Sequence, residues 1–105
     1  MGKLGYGDLR TFEVEDDLLP FLRVVTMNKL RRGEAFMLTL PATDGSGGRY
    51  SLWVGPEVPL TFQVGTMVPK RDEDPRELIE ELMLHASGPD GLDLTPYTTM
   101  ATSDS

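Results

Sequence analysis

The run Asn28-Lys29-Leu30-Arg31-Arg32-Gly33-Glu34-Ala35-Phe36 constrains the fold more than any other stretch of the chain. Cations gather where a helix would end, a glycine follows them, and an alternating apolar segment opens at Phe36. Cations are favoured at the negative end of a helix dipole, and glycine takes the left-handed conformation that stops a helix. Upstream, Leu18, Phe21, Leu22 and Val25 recur at helical spacing, flanked by Leu19, Val24 and Leu30. Asp16 or Asp17 stands where a cap would accept hydrogen bonds from first-turn N–H groups, and Pro20 falls where a missing N–H costs little. Continuing the stripe brings Lys29 and Arg32 onto nearly the same face.

On either side of this helix the apolar residues alternate, the period of a strand with one wet face. Leu4 and Tyr6, then Phe12 and Val14, predict an N-terminal hairpin turning near Asp8. Downstream, Phe36, Leu38 and Leu40 share one face, as do Tyr50, Leu52 and Val54, and again Leu60, Phe62 and Val64. Short connections between consecutive strands favour an antiparallel meander. A polar connector leads to Asp74-Pro75-Arg76-Glu77, a strong helix start with Asp as cap and Pro at the first helical position. Leu78, Ile79, Leu82, Met83 and Ala86 form its buried stripe, and Leu92 and Leu94 a short last strand. The order β-β-α-β-β-β-α-β predicts a two-layer α+β fold, one antiparallel sheet with two helices on one face. Residues 1–96 are expected to form a single domain, and 97–105, small and polar, a flexible tail.

Charge and composition narrow the function. A net charge of −7 sets a field that repels phosphate, which disfavours nucleic acid and anionic membrane as partners. The positive charge is concentrated at Lys29, Arg31 and Arg32, with a second pair at Lys70 and Arg71. No cysteine is present, and His85 is the only histidine, so thiol chemistry and the usual zinc ligand sets are missing. No apolar run approaches the ~20 residues of a membrane span, and no signal-peptide core opens the chain. The expected setting is cytoplasmic, with no cofactor.

Four residues stand out as binding candidates. Lys29, Arg31 and Arg32 carry the cations that would pair with phosphate or with a partner's carboxylates; a solvated helix end is the plainer account of them. Trp53 is the sole tryptophan, and alternation turns it away from Leu52 and Val54 onto the outer face. Met37, Thr39, Ser51, Thr61 and Gln63 are its expected neighbours. Tryptophan is enriched at interface hot spots, so this face is a candidate docking surface, or else it packs under a terminal segment. The catalytic inventory is thin. The adjacent acids Asp16-Asp17, Glu73-Asp74 and Glu80-Glu81 point apart on a helix, and His85 lies one step from a buried stripe. The glycine-rich pieces at Gly2–Gly7 and Gly45–Gly48 open no helix and match no phosphate-binding pattern.

Four blocks together resemble a family of small actinobacterial proteins of unknown function. They are Met1 to Gly7, Lys29 to Phe36, Ser51 to Pro56 and Val58 to Phe62. Proteins of that kind often carry the label "ATP-dependent DNA ligase". Such a ligase needs an adenylated lysine in Lys-x-Asp-Gly. Lys29-Leu30-Arg31-Arg32 has Arg where Asp belongs, and Lys70-Arg71-Asp72-Glu73 has Glu where Gly belongs. What the resemblance implies is a shared fold with a shared surface at Lys29, Arg31, Arg32 and Trp53. The leading expectation is a small non-catalytic binding module with a protein partner or self-association. The alternative is an accessory protein that binds nucleic acid or a nucleotide through the Lys29/Arg31/Arg32 patch.

Overall fold

A computed structural model describes residues 2–8, 10–43, 45–64 and 74–97. The N-terminal alternation folds as a hairpin: β1 (Gly2–Tyr6) and β2 (Arg10–Val14) run antiparallel, with Leu4 opposite Phe12. Leu4, Phe12 and Val14 are buried, whereas Thr11 and Glu13 are exposed.

The first helix, α1 (Leu19–Arg31), starts without the expected aspartate cap. Its N-cap is Leu18, already near helical dihedrals, and no side chain caps it. A preceding turn supplies the contacts instead, with the N–H groups of Leu18 and Leu19 both donating to the Glu15 carbonyl at 3.0 Å. The chain thus enters the helix already coiled, and the cap position falls on a leucine that the core claims completely. Pro20 sits in the first turn as its fixed φ favours. The other end follows the sequence closely. Gly33 has φ +71°, its N–H donates to Leu30, and the N–H of Glu34 donates to Lys29, each at 3.0 Å. This is a Schellman motif, which pairs the last carbonyls of the helix.

β3 (Phe36–Pro41) and β4 (Arg49–Val54) pair antiparallel, setting Phe36 against Val54 and Leu38 against Leu52. The helix α2 (Pro75–Ala86) is capped by Asp74, whose carboxylate accepts from the Arg76 N–H at 2.9 Å. Leu78, Leu82 and Ala86 face the core, as their spacing requires.

The α+β class and the element order hold, but among the described residues the strands divide into two three-stranded sheets where one was expected. The strand β5 (Leu60–Gln63) leaves β4 and pairs with β1, Leu60 against Tyr6 and Phe62 against Leu4, giving the order β2-β1-β5. The second sheet is β4-β3-β6, and its last strand β6 (Leu92–Asp93) runs parallel to β3. Alternation fixes which side chains point inward and says nothing about the neighbour. Leu60 and Phe62 can meet the core from either sheet, and the hairpin leaves one edge of β1 open for them. The connection Gly55-Pro56-Glu57-Val58-Pro59 carries two prolines without N–H donors, and the Pro59 carbonyl accepts from Gly7 at 2.8 Å. It therefore leads the chain across to β1.

The helices cover both sheets and each other, α1 lying against β1 and α2 against β3 and β6. One core results, in which Leu4, Leu18, Leu22, Leu38, Leu82 and Leu92 are all but closed to solvent. Two further contacts tie the sheets together. The Tyr6 hydroxyl donates to the Trp53 carbonyl at 2.6 Å, and the Phe12 and Tyr50 rings meet at 5.1 Å. The Arg10 guanidinium covers both rings, 4.8 Å and 4.6 Å from their centroids. A 3-10 turn (Thr95–Tyr97) closes the described chain, and Tyr97 donates a hydrogen bond to Glu81 of α2. Tyr97, expected at the head of the tail, therefore packs back onto the domain; the rest of that tail, 98–105, lies outside the described residues.

The Schellman stop yields a direct test. Gly33→Ala should lower stability by about 1–2 kcal/mol, because a side chain in the left-handed region clashes with its own backbone. Urea unfolding followed by circular dichroism checks this, with the m-value expected unchanged.

Candidate functional site

Lys29 lies on the buried face of α1, in line with Leu22 and Val25, and is only 4% exposed. Its aliphatic stem completes the apolar stripe, and its ammonium emerges at the junction of the two helices. There it donates to Ser87 Oγ at 3.1 Å and pairs with Glu34 at 2.9 Å. Ser87 is the C-cap of α2, so the charge sits in the last turn of one helix and against the end of the other. Both dipoles favour a cation at that point. The Schellman motif explains the third partner: it returns Glu34 over the last turn, where an apolar residue usually packs and a carboxylate here meets an ammonium.

Glu34 is half-exposed, and the hydrogen bond and charge of Lys29 hold its carboxyl below the ordinary carboxylate value. Burial opposes the shift, and Arg32 adds to it.

The three cations singled out in the sequence therefore do not form one patch. Lys29 is buried and engaged, whereas Arg31 and Arg32 are exposed on the end of the helix. Arg31 instead borders a separate apolar trough of about 390 Å³ between α1 and β5, with Arg23, Leu60 and Phe62.

Lys29 does come together with the fourth candidate. A groove of about 420 Å³ runs between the loop after α2 and the joined ends of β3 and β4. Lys29, Glu34 and Ser87 stand on its wall together with Met37, Trp53 and Pro89. Trp53 is 50% exposed, and its cross-strand partner Met37 is 37% exposed. Thr39 and Ser51, the next pair on the same face, share a hydrogen bond at 3.1 Å. Thr61 and Gln63 are not neighbours of Trp53, because β5 belongs to the other sheet.

The indole is held in place. Its Nε1–H donates to Glu57 at 3.1 Å across the turn after β4, and the Trp53 carbonyl accepts from Tyr6. Gly55 makes room for this closure: a methyl group there would come 2.6 Å from a Glu57 carboxylate oxygen and 3.1 Å from the indole nitrogen. Met37 stands beside Trp53 as alternation predicted, and Glu57 and Pro89 are the neighbours that the sequence did not show. The four-residue spacing from Trp53 to Glu57 across a Gly-Pro turn was the available signal. Among the described residues no group of three His, Asp or Glu side chains converges as a metal site would require. Nor is any described helix long and apolar enough to cross a membrane.

The sequence profile of DUF7882, a domain of unknown function, matches residues 1–97. The chain belongs to this family. Its profile thus spans all the elements that form the groove, from Lys29 of α1 to the loop after α2. No curated protein and no solved structure matches the chain.

Two substitutions separate the roles of the Lys29 side chain. Lys29→Ala should cost about 1–3 kcal/mol in urea unfolding through lost packing, whereas Lys29→Met keeps the stem and should cost distinctly less. The Glu34 pair carries a pH signature. A carboxyl held low in the folded state adds stability above its unfolded value, about 4.3, and loses it as pH falls through the lower folded value. The stability advantage of wild type over Glu34→Gln should therefore be full at neutral pH and shrink on acidification through that window. Parallel urea titrations of both proteins measure it.

Proposed function

We propose that this DUF7882 domain is a non-catalytic, cytoplasmic binding module that docks a protein partner in the groove walled by Trp53 and Met37. The observation that carries the reading is the half-exposed tryptophan itself. A large aromatic side chain is locked by hydrogen bonds at its indole and its backbone, yet half of it is left to solvent beside an exposed methionine. Tryptophan offers a large contact area with little side-chain entropy to lose, and fixing it in advance lowers the entropy of association further. The mixed apolar and polar lining of the groove supports a protein surface as its occupant.

Binding of nucleic acid through Lys29, Arg31 and Arg32 has less support. The Lys29 ammonium is taken up by Glu34 and Ser87, leaving two exposed arginines on a body of net charge −7.

Affinity capture from native lysate with nuclease present, followed by mass spectrometry, tests the proposal. Partners of the wild-type domain should be lost with Trp53→Ala and kept with the double variant Arg31→Glu, Arg32→Glu. Partners lost with the arginine variant and kept with Trp53→Ala would overturn it. Thermal melts of each variant establish that the fold is retained.

A further inference from the structure

We infer that the occupant of the groove is a basic segment of the partner, anchored by an arginine whose guanidinium stacks on the Trp53 indole and pairs with the Glu57 carboxylate. The inference rests on the docking reading above and gives its partner a chemistry.

Charge is the first argument. Among the described residues the only cation on the wall of the groove is Lys29, and Glu34 and Ser87 already engage it. Glu57 holds the indole N–H at the edge of the ring, and the exposed Asp90 lies in the loop that forms the opposite wall. Glu34 keeps its charge to lower pH than an ordinary glutamate. With Lys29 and Glu34 paired, the charge in direct contact with the indole is the Glu57 carboxylate, on a body of net charge −7. An acidic or phosphorylated partner is repelled, and a basic one is drawn in.

Geometry is the second. Trp53 has no N–H left to offer a ligand, since Glu57 accepts it. What remains is a π face, enriched in electron density by the hydrogen bond to an anion, beside a carboxylate with lone pairs to spare. A tryptophan face is the strongest aromatic partner for a cation, and a carboxylate beside it suits the planar guanidinium fork better than the compact ammonium of lysine. The fold already contains this contact in another place, where Arg10 lies 4.8 Å and 4.6 Å from the centroids of Phe12 and Tyr50. Gly55 is the third element. Its lack of a side chain lets Glu57 close onto the indole, so the ring and the carboxylate are presented as one unit.

Trp53 is the only tryptophan in the chain, so its fluorescence reports on this site alone. The probe is a capped peptide with one arginine between apolar residues, compared with versions carrying lysine, citrulline or glutamate at that position. The arginine peptide should shift Trp53 emission saturably, roughly tenfold more tightly than the citrulline peptide. Glu57→Gln should weaken arginine binding, as should raising salt from about 50 mM to about 500 mM. Gly55→Ala should weaken it too, by moving the carboxylate without changing charge. Equal binding of the arginine and citrulline peptides would leave the docking groove standing and overturn the arginine anchor. A Trp53 shift that depends on protein concentration alone, with a doubled mass in light scattering, would replace the basic partner with a second copy of the chain. If no peptide moves the emission, the arginine anchor falls, and the capture experiment with Trp53→Ala decides separately whether the groove docks anything.

Discussion

The structure turns on one buried ammonium. Lys29 is the residue at which both helices and the entry to β3 meet, and its three attachments differ in kind. The stem belongs to the apolar stripe of α1. The charge bonds the cap of α2 and the carboxylate that Gly33 turns back over the helix end. A leucine in its place would satisfy only the first of these. Desolvating an ammonium is unfavourable, and it is tolerated here because a charge partner, a hydroxyl and two helix termini converge on it. Its bond to Ser87 joins the last turn of α1 to the C-cap of α2, and both residues stand on the wall of the groove.

The second constraint is the division of the strands. Two three-stranded sheets leave a seam that a single six-stranded sheet would lack. Arg10 over Phe12 and Tyr50 ties the N-terminal hairpin to β4 at one point, and the Tyr6 hydroxyl on the Trp53 carbonyl ties it at a second. The second tie has a consequence for the surface. It pins the end of β4 at Trp53 itself, so the residue offered to solvent is also the one whose backbone is fastened to the neighbouring sheet. Rigidity and exposure coincide at one position.

Local features were legible in the sequence because they depend on neighbours in the chain. The Asp74-Pro75 start of α2, the Gly33 stop and the inward sets Leu38/Leu40 and Leu52/Val54 follow from capping chemistry and period. Strand partnership was not legible: a period of two assigns faces and leaves neighbours free, so β5 joined β1 and took Thr61 and Gln63 away from Trp53. The cap of α1 failed for a related reason, since a turn at Glu15 pre-coils the chain and shifts the cap onto Leu18. Lys29 is the more instructive case. Its spacing from Leu18, Leu22 and Val25 put it on the buried face, while its charge suggested a surface patch with Arg31 and Arg32. Spacing prevailed, because Glu34 and Ser87 were available to neutralise the tip. The partner at Glu34 follows from the glycine stop, but Ser87 lies 58 residues away and needs the tertiary fold.

Trp53 remains as the residue the fold asks for least. The inward faces of β3 and β4 are complete with Phe36, Leu38, Leu40, Leu52 and Val54, and the Trp53 side chain points away from them. On the outer face of a two-sided sheet a threonine would pair equally well across the strands, as Thr39 and Ser51 do at the next pair on that face. A solvent-facing tryptophan adds apolar surface that invites non-specific association, and a stability argument would remove it. Yet Glu57, Gly55 and Tyr6 all serve to hold that one ring and its strand end in a fixed pose. Support arranged around a residue that the core does not use is what the proposed docking surface requires, and the carboxylate beside the ring suits the cationic partner inferred for it.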